Sequence, residues 1–341
     1  MKFITAFILF VFFNSFSLFS QHIELLVQEG KTSIRGISVV SEKIIWVSGS
    51  QGKFAKSLDG GKTWDWETVP KFETRDFRDI EAFDGNTAIL MAVSEPAIIL
   101  KTIDGGKNWK LVFIDSTKGM FLDAMYFANN KSGIVIGDPI DANVFLARTT
   151  DQGTTWMRIK SFGTKQMAEG EAFFAASGTN IMMLPGGNQH PVIWASGGRK
   201  SRLWHFEQTL TADSLPIIQG KESTGANSLD MYDERHGIVV GGDFANDKVD
   251  SNNCVLFELT GAETIQFIKP HTTPHGYRSC VAYLTKERLV SCGTSGVDYS
   301  EDGGANWKLI STESYHTCQK SKYGNAIYLA GSKGKVGKLV L

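Results

Sequence analysis

The octet SLDGGKTW, residues 57–64, returns as TIDGGKNW at 102–109, TTDQGTTW at 149–156 and SEDGGANW at 300–307. Asp-Gly-Gly between two apolar runs is a hairpin signal, because glycine takes φ > 0 without strain and the aspartate accepts hydrogen bonds from turn amides. The Ser or Thr two residues earlier adds a hydroxyl to the same network. The tryptophan that closes each copy (Trp64, Trp109, Trp156, Trp307) opens the next strand and brings a large ring to bury between neighbouring sheets. Every part of the octet has a structural duty, so the copies predict equivalent turns and need no substrate to explain them.

Working outward, the octet aspartates Asp59, Asp104 and Asp151 lie 45 and 47 residues apart, and the gap of 151 residues to Asp302 holds three further units of about 50. A second mark recurs upstream: SIRGISVV near 33, DFRDIEAF at 76, MFLDAMYF at 120, EGEAFFAA at 169, ANSLDMYD at 226, GYRSCVAY at 276 and SYHTCQKS at 314. Between marks the chain reads as short β-rich runs, such as TAILMAVS and AIILKTI, separated by turn residues. Seven units of four strands predict an all-β, seven-bladed β-propeller. The last unit ends at GKVGKLVL after three strands, and the unassigned N-terminal run IELLVQEG supplies the fourth. Closing the ring this way pairs the two ends of the chain and removes an open sheet edge. The expected organisation is therefore one propeller over residues 21–341.

All four octets fit S-x-D-x-G-x-x-W, with Thr for Ser in two, and so resemble the Asp-box of BNR-repeat propellers. With its marks before each box, the chain is similar to the photosystem II stability/assembly factor-like group, which includes exported bacterial proteins. The resemblance implies a propeller with Asp-box turns. It leaves function open, because sialidases, xyloglucanases and sortilin-type receptors carry the box too. The fourth unit, with ASGGRKSRLW, and the fifth, with FELTGAETI, lack the box aspartate, which predicts irregular turns there.

Composition supports a large core: 42% of residues are hydrophobic and 11% aromatic, which excludes a disordered chain. The formal net charge of −1, with Lys and Arg spread evenly, gives no support for nucleic acid or an anionic membrane as partner. Residues 1–20, MKFITAFILFVFFNSFSLFS, have the lysine, apolar run and polar end of a secretory signal peptide, which predicts a periplasmic or secreted product. The run is shorter than the roughly 20 apolar residues a membrane span needs, and no later segment could span. The four cysteines, Cys254, Cys280, Cys292 and Cys318, fit no zinc spacing. Cys280 and Cys292 flank one predicted hairpin, where a disulfide and two buried thiols are both open.

In a propeller the innermost strands line a channel, and their starting ends share a face with the loops between second and third strands. On that face the sequence places Arg35, Arg78, Asp79, Asp123, Glu171, Arg278 and His316. The loops GDPIDANVF (Asp138, Asp141, Asn143), PGGNQHPVIW (Asn188, His190) and GGDFANDKVDSNNC (Asp243, Asp247, Asp250) read as the longest. This set is the expected binding surface for a protein, peptide or glycan, on a chain expected to be a monomer and a non-catalytic scaffold. The competing class is a carbohydrate hydrolase or lyase, which needs two carboxylates at controlled separation; Asp79, Asp123, Asp138, Glu171 and Asp243 supply candidates. No catalytic residue is assigned. The RIP element of sialidases is missing, and no G-x-G-x-x-G opens a helix for a nicotinamide or flavin. No cofactor is expected. His271 and His275 in HTTPHG lie in a loop with Pro274, a poor metal setting. Calcium is the one ion that NKSG at 130–133 or the Asp-rich fifth-unit loop could hold, without an EF-hand pattern.

Overall fold

The apolar runs are continuous rather than alternating because their strands are covered on both faces. In Ala88–Ala92 every residue is buried; Leu90 packs toward the preceding sheet, Ile89 and Met91 toward the following one. A computed structural model describes residues 21–159, 166–185, 190–207, 209–261 and 264–341. Residues 1–20, which the sequence reads as a signal peptide, lie outside them. The described strands form seven antiparallel sheets, the blades of a β-propeller. The innermost strands are Ile34–Val39, Phe77–Ala82, Leu122–Phe127, Ile181–Met183, Thr224–Met231, Cys280–Tyr283 and Thr317–Lys320. Seven hydrophobic clusters fill the seven inter-blade gaps; that of Val39, Val47, Ala55, Tyr328 and Ala330 joins blade seven to blade one. The closing strand is His22–Gln28, paired antiparallel with Lys335–Val340 from His22 opposite Val340 to Gln28 opposite Lys335.

The octets are turn staples. In the first, Asp59 Oδ1 accepts from the Thr63 N–H and the Ser57 hydroxyl at 2.9 Å each, and Oδ2 accepts from the Thr63 hydroxyl at 2.6 Å. The Gly61 N–H donates to Ser57 Oγ at 2.8 Å, and Gly60 and Gly61 have φ of 83° and 89°. Bonds from Thr63 and Asn108 hold the carboxyls of Asp59 and Asp104 down at about 2. Asp151 and Asp302 repeat the pattern. Each box tryptophan packs onto the preceding blade: Trp64 beside Tyr328, Trp109 with Phe54, Trp156 with Ile89, Trp307 with Ile238. Ser57 is buried and both makes and receives a bond. Ser57→Ala is expected to cost about 1–2 kcal/mol, since it orphans the Gly61 N–H. Urea unfolding measures this; an unchanged midpoint would show that the glycine turn holds without the hydroxyl.

The fourth unit departs from the sequence reading. EGEAFFAA does not begin an inner strand. Glu171–Ala172 instead pairs with Gly197–Gly198, which continues onto blade five and gives that blade six strands. Residues 173–179 then descend the central channel before the inner strand Ile181–Met183 begins. ASGGRKSRLW is accordingly not a box-position turn: it joins the second and third strands of blade four, Val192–Ala195 and Arg202–Phe206. PGGNQHPVIW joins the first and second strands, so His190 lies on the Asp-box face; Asn188 falls outside the described residues. GDPIDANVF is no long loop either, because Gly133–Ile140 and Asn143–Thr149 meet in a two-residue turn at Asp141 and Ala142, both at positive φ. Only GGDFANDKVDSNNC is a long connection between second and third strands, His236–Asp243 and Cys254–Leu259. The four cysteines are buried free thiols, Cys280 directly opposite Cys292. Among the described residues no helix is long and apolar enough to cross a membrane.

Candidate functional site

The sequence AASG, residues 175–178, is small enough for backbone to fill the channel, and it touches most of the ring. Arg35 Nη1 donates to the Ala176 carbonyl at 3.3 Å and Arg78 Nη1 to that of Ala175 at 3.5 Å. The Ser177 hydroxyl donates to the Ser279 carbonyl at 2.6 Å, and Thr317 Oγ1 to the Ser177 carbonyl at 3.4 Å. Gly178 has φ 71°, and a Cβ there would sit 2.5 Å from the Asp79 carboxyl carbon, so only glycine fits. These bonds make the segment a plug beneath the channel mouth.

The plug divides the residues that the sequence places on one face. Arg35 and Arg78 remain half-exposed at the mouth. Burial, and then the charge of Arg78, lowers the pKa of Arg35. Arg78 donates from Nε to Asp76 Oδ2 at 2.8 Å and lies 5.9 Å over the Phe121 ring. On the same face Phe244, 48% exposed, stands edge-on to Phe174 at 5.7 Å and to Tyr277 at 6.3 Å.

The other candidates are spent on the fold. Asp79 is buried and accepts from the N–H groups of Ile80 at 2.8 Å and Met125 at 2.7 Å, bracing blade two against blade three. Burial pushes its carboxyl well above the usual range. Asp138 Oδ1 accepts from the Phe173 N–H at 2.9 Å and anchors the start of the plug; burial raises its carboxyl as well. Asp123 is fully buried, and neither carboxyl oxygen closes a hydrogen bond of normal geometry within the described residues. The nearby N–H groups of Asp138 and Ala175 offset part of that cost. Burial, then the Asp138 charge, drives its carboxyl far upward.

Glu171 is buried under Arg202, whose Nε donates to both its oxygens at 3.0 Å and whose Nη2 donates to Oε2. Trp204 Nε1 at 3.1 Å, the Ala168 N–H at 2.9 Å and the Ser196 hydroxyl complete the cage. Arg278 is fully buried against Asp298. His316 Nδ1 donates to the Ile34 carbonyl at 2.9 Å, leaving Nε2 to accept from Ser332 at 3.3 Å. Burial and the charge of Arg35 bring its pKa down to about 4, so the ring is neutral near pH 7. Asp243 is buried; the Ser223 hydroxyl and the Ala245 N–H outweigh burial and hold its carboxyl low. His190 Nδ1 donates to the Leu184 carbonyl at 3.1 Å on the opposite face. Among the described residues no group of three His, Cys, Asp or Glu is placed to hold a metal ion.

The mouth therefore offers an arginine pair and an aromatic ridge, over a channel closed by backbone. Sequence reasoning missed Phe244, Arg202, Asp298 and the plug. The run of small residues after EGEAFF was the available signal for the last.

A family described as photosynthesis system II assembly factor YCF48 matches residues 17–120. The chain is a BNR-type propeller that resembles this assembly factor. The solved structure described as "YCF48 bound to D1 peptide" aligns over 96% of this chain and 99% of its own, with TM-score 0.64 and 18% identity. YCF48 from Cyanidioschyzon merolae aligns over 94% of this chain and 98% of its own, at TM-score 0.61 and 13% identity. The GH74 enzyme of Niastella koreensis aligns over 92% of this chain but 53% of its own, at TM-score 0.58 and 15% identity. At these identities the likeness is one of fold. No curated protein matches.

Proposed function

We propose that this YCF48-like propeller is a non-catalytic scaffold, exported by its N-terminal segment, that holds an acidic stretch of a partner polypeptide at the plugged mouth. The observation that carries the reading is the pair Arg35 and Arg78. Arg35 has no ion-pair partner among the described residues, Arg78 has one carboxylate, and each spends only its Nη1 on a plug carbonyl, which leaves a guanidinium edge to bind a carboxylate. The exposed Phe244 on the same face suits the apolar part of a peptide. The fold neighbour bound to a D1 peptide supports a polypeptide rather than a glycan. A hydrolase at the mouth draws no support, because Asp79, Asp123, Glu171 and Asp243, four of the five candidate carboxylates, are buried away from it.

The test is fluorescence anisotropy with labelled decapeptides of acidic, neutral and basic composition. Acidic peptides should bind best. Arg35→Glu/Arg78→Glu should weaken them at least tenfold, about 1.4 kcal/mol, with an unchanged melting curve. Equal binding by the double variant, or a preference of the native protein for basic peptides, overturns the reading.

A further inference from the structure

Below the plug the channel does not close. A cavity of about 420 Å³ remains, opening through Phe83, Asn129, Asn130 and Tyr323 on the Asp-box face, opposite the mouth. That volume is in the range of small-ligand sites. Its walls include Tyr126, Tyr283 and the edge-on pair Phe83–Phe127, with ring centroids 5.1 Å apart.

The charges in it are unequally matched. Lys322 is spent: its ammonium donates to Glu81 at 2.6 Å, to the Ala82 carbonyl at 2.8 Å and to Ser38 at 3.3 Å. Lys320 donates to the Leu284 carbonyl at 2.7 Å. The deeper carboxyls, Asp79 and Asp230, have no ion-pair partner among the described residues. Each of their oxygens takes one backbone N–H, for Asp230 those of Met231 at 2.8 Å and Tyr283 at 2.7 Å. Tyr126 is half-buried beside Glu81 and Asp230, and its hydroxyl makes no hydrogen bond within the described residues. An idle phenol and two carboxyls that close no ion pair among the described residues, ringed by aromatic faces, match a cation rich in N–H donors. The exposed Leu58, Ile103 and Tyr323 on the same side give a polypeptide an apolar surface to rest on.

We propose that this funnel receives the guanidinium or ammonium of a basic side chain from a partner polypeptide docked on the Asp-box face. The site is independent of the arginine pair. Burial raises the Asp230 carboxyl to about 7, with Cys280 adding to and Lys320 opposing the shift; the phenols of Tyr126 and Tyr283 are the other titratable groups facing it. A bound cation favours the ionised form, so binding releases a proton. Affinity rises with pH up to about 7 and levels off above it.

The test is calorimetric titration with Gly-Gly-Arg-Gly-Gly, its citrulline counterpart and agmatine, from pH 5.5 to 8.5. The arginine peptide should bind at least tenfold tighter than the citrulline peptide, and its affinity should fall up to tenfold per pH unit below 7. Tyr126→Phe, which keeps the ring, should weaken it severalfold. Asp230→Asn should flatten the pH profile, and Tyr126→Phe carries the test if that variant does not fold. Equal affinity for arginine and citrulline, no saturation at millimolar peptide, or an unaltered Tyr126→Phe affinity overturns the proposal. Tighter binding of agmatine than of the peptide overturns the polypeptide as its source.

Discussion

Arg278→Ala should lower the folding free energy by about 3–5 kcal/mol, the cost of stranding a buried charge. Arg278 and Asp298 are both fully buried. Arg278 donates from Nε to Asp298 Oδ2 at 2.7 Å and again from Nη2. Nη1 donates to the Tyr277 carbonyl at 2.8 Å and Ser295 Oγ at 2.6 Å, and Nη2 to the His275 carbonyl at 2.8 Å. One planar fork thus ties the start of an inner strand to the third strand of blade six. Without it Asp298 keeps only His275, whose Nδ1 lies 2.6 Å from Oδ1 and whose side chain is half-exposed. Lysine should restore little, since a single ammonium cannot reproduce the fork. Urea denaturation decides the matter: a loss under about 1 kcal/mol would show that the pair nearly breaks even. The variant is accordingly a poor probe of partner binding, because lost capture would follow from lost folding.

Deleting residues 22–31 should be comparably severe. The closing strand carries Ile23, which packs in the gap between blades six and seven, and Leu26 and Val27, which pack between blades seven and one. Half-burying three aliphatic side chains contributes roughly 3–5 kcal/mol. The ladder to Lys335–Val340 adds several hydrogen bonds of about 1 kcal/mol each. A total of roughly 6–10 kcal/mol predicts a melting point lower by 10 °C or more. The bared Lys335–Val340 edge should also promote association between molecules. Calorimetry of the truncated protein checks both effects, and an unchanged melting curve would mean that the ring does not depend on this closure.

The sequence by itself determined the blade count, the closure and the turns. The closure follows from counting, because the last blade is one strand short and the N-terminal run is one strand over. Asp-Gly-Gly, the box Ser or Thr and the following tryptophan act within eight residues, and strand periodicity acts within six, so local chemistry specifies turns and blades. Six of the seven upstream marks fall on inner strands for that reason. The fourth does not, because Glu171 is claimed by Arg202, thirty-one residues further on, and its strand pairs with Gly197–Gly198 instead. Whether a polar residue at a strand end faces solvent or a partner is likewise a tertiary matter. Arg35 and Arg278 occupy similar positions in SIRG and GYRS, yet one lies at an open mouth and the other is sealed against Asp298. Asp298 and the plug come from distant parts of the chain, and burying a charge is tolerable only where packing brings such a partner within hydrogen-bond reach. That pairing, rather than residue type, separated the two half-buried arginines at the mouth from the fully buried scaffold around them.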